Sequence, residues 1–496
     1  MAHPGGWLAA LLCVAALGVP RPATGQQCVY VLSGVDGSLA AGTRLPAVRR
    51  LAENLQVNRI TVETAYDRLE ADGLIAGRQG SGTYVLDAGR QTPARGVGEK
   101  EVWPLWQQGP LARVRNERFN SPQQVAGGHP RPINFGGGIG DPHLLSFKDF
   151  GLSIQKVIRR QGDIGCSYGD PRGFVPLRTT IAQILASQGL QTTADSILIT
   201  TGSQQAIMLA AQLLLRPGDV VVTENPTYSG ALDIFRSLDV LPVGIDLDGD
   251  GLQVDELEDV FRKHHPKLLY TIPNYQNPTG ICLSTQRRRQ ILELAERYNV
   301  PILEDDYVGD LRYEGCARPA LKGLDRCGMV IYVSTFSKML MPDLRIGFLV
   351  ADGPVYDSLL KRKCLSDLAT SNLLQRSLAD FLSVGRYQAH LRRSCRIYRR
   401  RRDAMLAAIG RHLPAAVELT PPKGGFYAWL KMPAGIAADE LFRRCCREGV
   451  GYAEGSQSAV EGRLPDLCLR LNFAYQPEDE IEEGIRRLGR VLGGLS

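Results

Sequence analysis

No apolar run in this sequence of 496 residues is read as a membrane span. The candidate, Trp7 to Val19, falls short of the roughly 20 residues a helical span needs. It has signal-peptide length, and proline and small residues follow it, but only His3 precedes it where a basic flank belongs. Residues 1–27 are therefore expected to be a signal-like or disordered extension. Metal-ligand spacing is lacking too. Eleven cysteines are scattered without a CxxC pair, so no metal site is expected, and buried free thiols in a reducing compartment, the cytoplasm, fit better. Charge of one sign is scarce: a formal +6 is small for this length and by itself gives no ground for nucleic-acid binding. What is present is an ordinary globular composition, 44% hydrophobic and 22% charged, at a length that predicts two or three domains.

Residues 28–86 read as a small helical module with a hairpin. Leu45 to Leu55 predicts a short helix with Pro46 in its first turn and Val48, Leu51, Ala52 and Leu55 on one apolar face. Gln56-Val57 makes a turn, Asn58 is an N-cap, and Arg59 to Ala71 predicts a second helix with Val62, Ala65, Tyr66 and Leu69 inward. Gly73 closes it, and Leu74 to Val85 follows as a hairpin tipped by Gln79-Gly80-Ser81-Gly82. Two short helices and a glycine-tipped wing describe a winged helix-turn-helix.

The stretch LPAVRRLAENLQVNRITVETAYDRLEADGLI, followed by RQGSGTYV, closely resembles the GntR family. The resemblance implies double-stranded DNA as a partner, with Arg49, Arg59 and Thr61 contacting the duplex and Gln79 and Gly80 approaching the minor groove at the wing tip. Arg59 and Thr61 sit at the start of the second helix, where such helices reach base edges. Residues 28–90 hold seven arginines, no lysine and seven acids, so affinity must come from where charges stand. Of the amphipathic helix with which the family begins, only Cys28 to Gly37 remains.

Residues 87–132 are rich in Gly, Pro, Gln and Arg and keep no period, which predicts a linker; Trp103 and Trp106 suggest that part of it docks on a neighbour. From 133 onward, apolar runs alternate with helix-length segments. Strands are expected at Ile197–Thr200, Val220–Thr223, Leu268–Ile272, Pro301–Glu304, Met329–Val333 and Ile346–Val350, with a helix from Ser203 to Leu215. This pattern predicts an α/β domain with a mixed, mostly parallel sheet covered on both faces. Segments from about Leu373, with a strand at Gly425–Leu430, suit a smaller C-terminal subdomain. The seven arginines between Arg392 and Arg402 read as a solvated helix face.

The chemistry gathers where those strands end. Lys338 follows an apolar strand, an expensive place for an ammonium and one that lowers its pKa. The cost suits an amine that must attack an aldehyde and be held as a Schiff base. Thr335, Ser337 and Arg345 flank it as donors for a phosphate. Thr201-Gly202-Ser203-Gln204 opens a helix whose free N–H groups can hold the same phosphate, or simply cap it. Tyr228, in a loop after a strand, can stack on a heteroaromatic ring or serve packing alone. Glu304-Asp305-Asp306 puts three acids at a strand end, where burial and repulsion disfavour all being charged unless a cation compensates.

Together, Tyr168-Gly169-Asp170-Pro171-Arg172-Gly173, Asn277-Pro278-Thr279-Gly280, Asp305-Asp306-Tyr307, Thr335-Phe336-Ser337-Lys338 and Leu469-Arg470-Leu471-Asn472-Phe473 resemble fold-type-I aminotransferases over residues 133–490. The resemblance implies pyridoxal 5'-phosphate bound by Lys338, with Asp305 on its ring nitrogen and Asn277 and Tyr307 on its phenolic oxygen. It further implies Tyr228 against the ring; Gly202, Ser203, Gln204, Thr335, Ser337 and Arg345 at the phosphate; and Tyr168 supplied across a homodimer. Arg470 would bind the carboxylate of an amino-compound effector or substrate. A GntR-type head ahead of such a domain resembles the MocR subfamily of transcription regulators, which implies a cytoplasmic, DNA-binding protein. A working aminotransferase with a vestigial head stays open beside it.

Overall fold

The computed structural model describes residues 42–71, 74–78, 81–86, 129–144, 147–160 and 168–495. The signal-like run, the remnant helix at 28–37, Gly73, the wing-tip residues Gln79 and Gly80, and Trp103 and Trp106 of the linker lie outside the described residues. The chain divides into two compact units, Met1–Phe119 and Asn120–Ser496.

In the first unit, α1 (Val48–Leu55) and α2 (Arg59–Ala71) precede a hairpin of β1 (Ile75–Arg78) and β2 (Gly82–Val85). The turn between the helices works because Gln56 adopts a left-handed φ of 53°, which sends its N–H back to the Ala52 and Glu53 carbonyls. Asn58 caps α2, its Oδ1 accepting from the Ile60 N–H at 2.9 Å. Pro46 was expected in the first turn of α1 but lies before it. The N-cap is Ala47, and the Pro46 carbonyl instead accepts the Tyr66 hydroxyl at 2.9 Å, which clamps α2 to the entry of α1. Leu45, Leu51, Ala52, Val62, Tyr66 and Ile75 form the apolar centre. That centre is small, so the loss of one large side chain would be felt throughout the module.

The second unit is organised by an eight-stranded sheet. Its strands are β3 (Ile197–Thr200), β4 (Val220–Asn225), β5 (Leu241–Asp248), β6 (Gly251–Leu252), β7 (Leu268–Thr271), β8 (Ile302–Asp305), β9 (Val330–Thr335) and β10 (Gly347–Val350). In space the order is β3-β10-β9-β8-β7-β4-β5-β6. The five consecutive strands from β9 to β5 are parallel, while β10 and β6 run against their neighbours. Neighbouring residues on these strands fall into two different apolar clusters: Val221, Leu268, Leu303 and Ile331 in one, Val222, Leu269, Ile302 and Val330 in the other. Alternating strand positions thus bury both faces, as a parallel sheet requires. The fold is the mixed, mostly parallel α/β architecture expected from the alternating runs.

A second, four-stranded sheet near the C-terminus contains Tyr427–Lys431 paired antiparallel with Cys468–Asn472. The sequence reading began the first of these at Gly425, but that residue has a φ of 71° and stands outside the strand. A 29-residue helix, Val384–His412, precedes this sheet in the chain. Its arginines are not all solvated. Arg401 and Arg402 are buried and form ion pairs with Asp141 and Glu314, so two members of the expected solvated face are internal fastenings. Among the described residues no helix is long and apolar enough to cross a membrane.

Candidate functional site

Parallel strands present their C-terminal ends on one edge, and loops leaving that edge carry the candidate residues. Tyr228 follows β4, Asn277 follows β7, Asp305 ends β8, Thr335 ends β9, and Gly202 follows β3. Lys338 lies three residues past β9, and its Nζ donates to the Gly138 carbonyl at 2.7 Å. Burial first, then the Arg470 and Arg345 guanidinium groups, pulls this amine down to about 8, against the weaker opposing pull of Asp305.

Asp305 is fully enclosed. Its Oδ2 accepts the Tyr270 hydroxyl at 2.8 Å, while its Oδ1 is buried with no partner among the described residues. Burial pushes this carboxyl up to about 7, partly offset by Tyr270. Its two neighbours have different work. Glu304 accepts the Leu321 and Lys322 N–H groups at 2.8 and 2.9 Å and so caps a short helix. Asp306 accepts from Asn274 and Tyr332 at 3.1 and 2.9 Å. Of the three acids, Asp305 alone has a buried oxygen left unsatisfied.

The residues expected at a phosphate converge. Ser203 begins the helix Ser203–Leu214, preceded by Gly202 at a φ of 84°. Arg345, itself left-handed at 48°, stands over that turn. Its Nη1 lies 3.4 Å from the Ser337 hydroxyl, and a Cβ built on Gly202 would come 2.6 Å from its Nη2. Ser337 donates its N–H to the Thr335 hydroxyl at 3.1 Å. A helix N-terminus of 12 residues, two hydroxyls and a guanidinium make an anion cradle. Gln204 lies one step deeper and accepts the Tyr228 hydroxyl at 3.1 Å. Burial pushes that phenol up to about 12.

Arg470, on Cys468–Asn472, donates through Nη1 to Asn277 Oδ1 and through Nη2 to the Gly136 carbonyl, both at 2.9 Å. Its guanidinium lies 4.4 Å from the centre of the Tyr427 ring, and its Nε is buried without a partner among the described residues. Tyr307 stacks near Tyr427, and its hydroxyl donates to the Tyr275 carbonyl at 2.9 Å. Tyr168 is 84% exposed. On the head, Arg59 is exposed and pairs with Glu63 at 2.8 Å, Arg49 is exposed on α1, and Thr61 is half-buried in the first turn of α2. Gln79 and Gly80 lie outside the described residues.

Several supporting residues escaped the sequence reading. Glu224, buried at the end of β4, accepts from Thr271, the Ile272 N–H, Gln276 and Thr227, and so anchors the loop that carries Asn277. Tyr270 fixes Asp305, Tyr427 underlies Arg470, and the Gly136–Gly138 carbonyls receive Arg470, Asn472 and Lys338. Their one-dimensional signal is slight: a polar atom inside an apolar strand.

Two family models divide the chain. Bacterial regulatory proteins, gntR family, matches residues 35–85, and Aminotransferase class I and II matches residues 138–488. The chain is 31% identical over 464 residues to YdfD of Bacillus subtilis, an uncharacterized HTH-type transcriptional regulator, covering 93% of this chain and 94% of that one. It is 31% identical over 455 residues to the probable rhizopine catabolism regulatory protein MocR of Rhizobium meliloti, covering 91% and 90%. Among solved structures, LysN, the alpha-aminoadipate aminotransferase of Thermus thermophilus complexed with N-(5'-phosphopyridoxyl)-L-leucine, superposes with a TM-score of 0.70 at 34% identity, covering 73% of this chain and 92% of that one. A GntR head and an aminotransferase body run through near-full-length relatives in the same arrangement, and the chain belongs to the MocR subfamily of GntR transcription regulators.

Proposed function

We propose that this chain is a pyridoxal 5'-phosphate-dependent, DNA-binding regulator that acts in the cytoplasm as a homodimer, and that its grip on the duplex responds to an amino compound, or to the cofactor itself, at Lys338. The observation that carries the reading is the unpartnered, buried Oδ1 of Asp305 on the same edge as the Lys338 amine and the Gly202-Arg345 cradle. A buried carboxylate oxygen without a donor is costly, and a protonated ring nitrogen supplies the missing donor. When bound, pyridoxal phosphate contributes an aldehyde reactive toward amines and a ring that withdraws electrons.

The chain's own residues do the rest. Asp305 holds the ring-nitrogen proton. Gly202, Ser203, Gln204, Thr335, Ser337 and Arg345 hold the phosphate, Tyr228 lies against the ring, and Asn277 and Tyr307 serve the phenolic oxygen. Lys338, with its amine near neutrality, can release or take a proton at working pH. Arg470 orients a carboxylate, and Tyr168 serves the second copy. Arg49, Arg59 and Thr61 on the head, with Gln79 and Gly80, contact the duplex. Ligand binding moves the head only by favouring one of two body states over the other.

A second reading, an active aminotransferase, is favoured by the lowered Lys338 pKa, which suits a proton-transferring base. A gel shift on the DNA upstream of the chain's own gene tests the regulator, and keto-acid formation from amino acids by the same preparation tests the enzyme. Saturable binding of that fragment over random duplex, without turnover, supports the first. Turnover without duplex preference supports the second and overturns the first.

A further inference from the structure

Away from the cofactor edge, a cavity of about 450 Å³ opens between residues 306–318, the end of the helix Val175–Ser187 and the helix Val384–His412. It shares Asp310, Arg312, Gln388 and Leu391 with a more open cleft of about 820 Å³ that continues past Arg392 and Arg396. The two are one groove. Its walls carry five cations, Arg312, Arg318, Arg392, Arg396 and Lys423, against three carboxylates, Asp306, Asp310 and Glu314.

The pairing of these charges is uneven. Glu314 is bound by Arg402, and further along the same helix Arg400 and Arg401 are also paired. Arg312, Arg392, Arg396 and Lys423 make no ion pair among the described residues, although the Lys423 charge is felt at Glu314. At the floor, Asp310 Oδ2 accepts Gln188 Nε2 at 2.7 Å and the Tyr387 hydroxyl at 2.5 Å, and no donor of the described residues meets its Oδ1. No ion pair reaches it among the described residues, and the neighbouring carboxylate Asp306 repels it. A groove whose cations outnumber its carboxylates by two, and in which Asp310 keeps one oxygen without a donor among the described residues, selects a dianion that carries a donor at its far end.

We infer that this groove binds a small phosphate monoester bearing a hydroxyl or amino group, its phosphate on Arg312 and Arg396 and its donor on Asp310. The concave shape and acidic floor suit a small molecule better than a duplex backbone, which would meet the carboxylates. The groove also adjoins the candidate site. Asn274, Tyr275 and Asp306 line it, and Tyr275 accepts the Tyr307 hydroxyl while Asp306 follows Asp305. Occupancy is thereby placed to bias the loops that carry Asn277 and Tyr307, although binding itself does not depend on the reading of the cofactor site.

The test is titration calorimetry on the full chain loaded with one equivalent of pyridoxal phosphate and dialysed free of excess, so that any phosphate cradle at Arg345 is already filled while the groove is left open. The probes are glycerol 3-phosphate and inorganic phosphate. Saturable binding of glycerol 3-phosphate is expected. It should weaken about tenfold or more in the doubly substituted Arg312→Gln, Arg396→Gln protein, whose changed side chains are exposed and leave the fold intact by circular dichroism. Glycerol 3-phosphate should bind more tightly than inorganic phosphate, and Asp310→Asn should narrow that difference. No saturable heat with either probe overturns the inference, and so does binding indifferent to the double substitution. Loss of duplex affinity in the double variant, with no small-molecule binding in the parent, would also overturn it and assign the groove to nucleic acid.

Discussion

The sharpest consequence of the site's electrostatics is the titration of Lys338 in cofactor-free protein. An ordinary lysine at pH 7.5 is neutral about one time in a thousand. With its amine held near 8, Lys338 is neutral roughly one time in four. Burial is the largest cause of that shift and Arg470 the larger of the two cationic contributions, so Arg470→Gln should move the midpoint upward. Removing one cation at this range in a partly solvated site is worth about one pH unit, or about 1.4 kcal/mol between the two protonation states. Competitive labelling with trace acetic anhydride across pH 6–11, read by mass spectrometry on the Lys338 peptide, gives the midpoint directly, with an added free lysine peptide as reference. The expected midpoints are about 8 for the parent and about 9 for the variant. A Lys338 that titrates together with that peptide, or an unmoved midpoint in Arg470→Gln, would refute the reasoning.

The same shift has a stability sign. Because its folded pKa lies below its unfolded one, the folded state binds fewer protons between about 8 and 10.5. The lysine therefore destabilises fully below 8, and that penalty fades as pH rises to 10.5. Lys338→Met should raise the Tm of cofactor-free protein at pH 7, by up to about 3 kcal/mol in stability, and do so much less at pH 10. Asp305→Asn removes the charged acceptor for the ring nitrogen and should weaken pyridoxal phosphate binding tenfold to a hundredfold by equilibrium dialysis, about 1.5–3 kcal/mol. Gly347→Ala places a Cβ 2.6 Å from the Gly202 carbonyl carbon, backbone that cannot step aside; a loss of about 1–3 kcal/mol by thermal denaturation is expected. Arg59→Gln should cost about 1–3 kcal/mol on the preferred duplex and relax base preference, seen by competition anisotropy against random DNA.

Much of this molecule is legible in one dimension where a local rule dominates. The second helix of the head occupies Arg59–Ala71 as read, because Asn58 caps it and Val62 and Tyr66 recur at helical spacing. The apolar strand before Lys338 is equally plain, since both faces of β9 are buried and the run cannot be solvated. Failures occur where tertiary contact overrides composition. The strand Leu241–Asp248 went unread: it is only partly buried and carries the poor strand formers Gly244 and Asp246, held there by pairing with β4, and Asp248, held by pairing with β6. Arg401 and Arg402 looked like any arginines of a charged helix, and only the fold brings Asp141 and Glu314 to them. Nor could sequence divide labour among Glu304, Asp305 and Asp306. That follows from which oxygens find N–H groups, and those groups come from segments 17 and more residues away.

The central claim is that chemistry at one lysine is felt by the DNA-binding head. Fluorescence anisotropy on the fragment upstream of the chain's own gene, at fixed salt, tests it directly with the full chain and its Lys338→Ala variant, each with and without pyridoxal phosphate. The account predicts that the cofactor changes the duplex Kd of the parent at least several-fold and leaves the variant's unchanged. Superimposable isotherms for the parent with and without cofactor would contradict it.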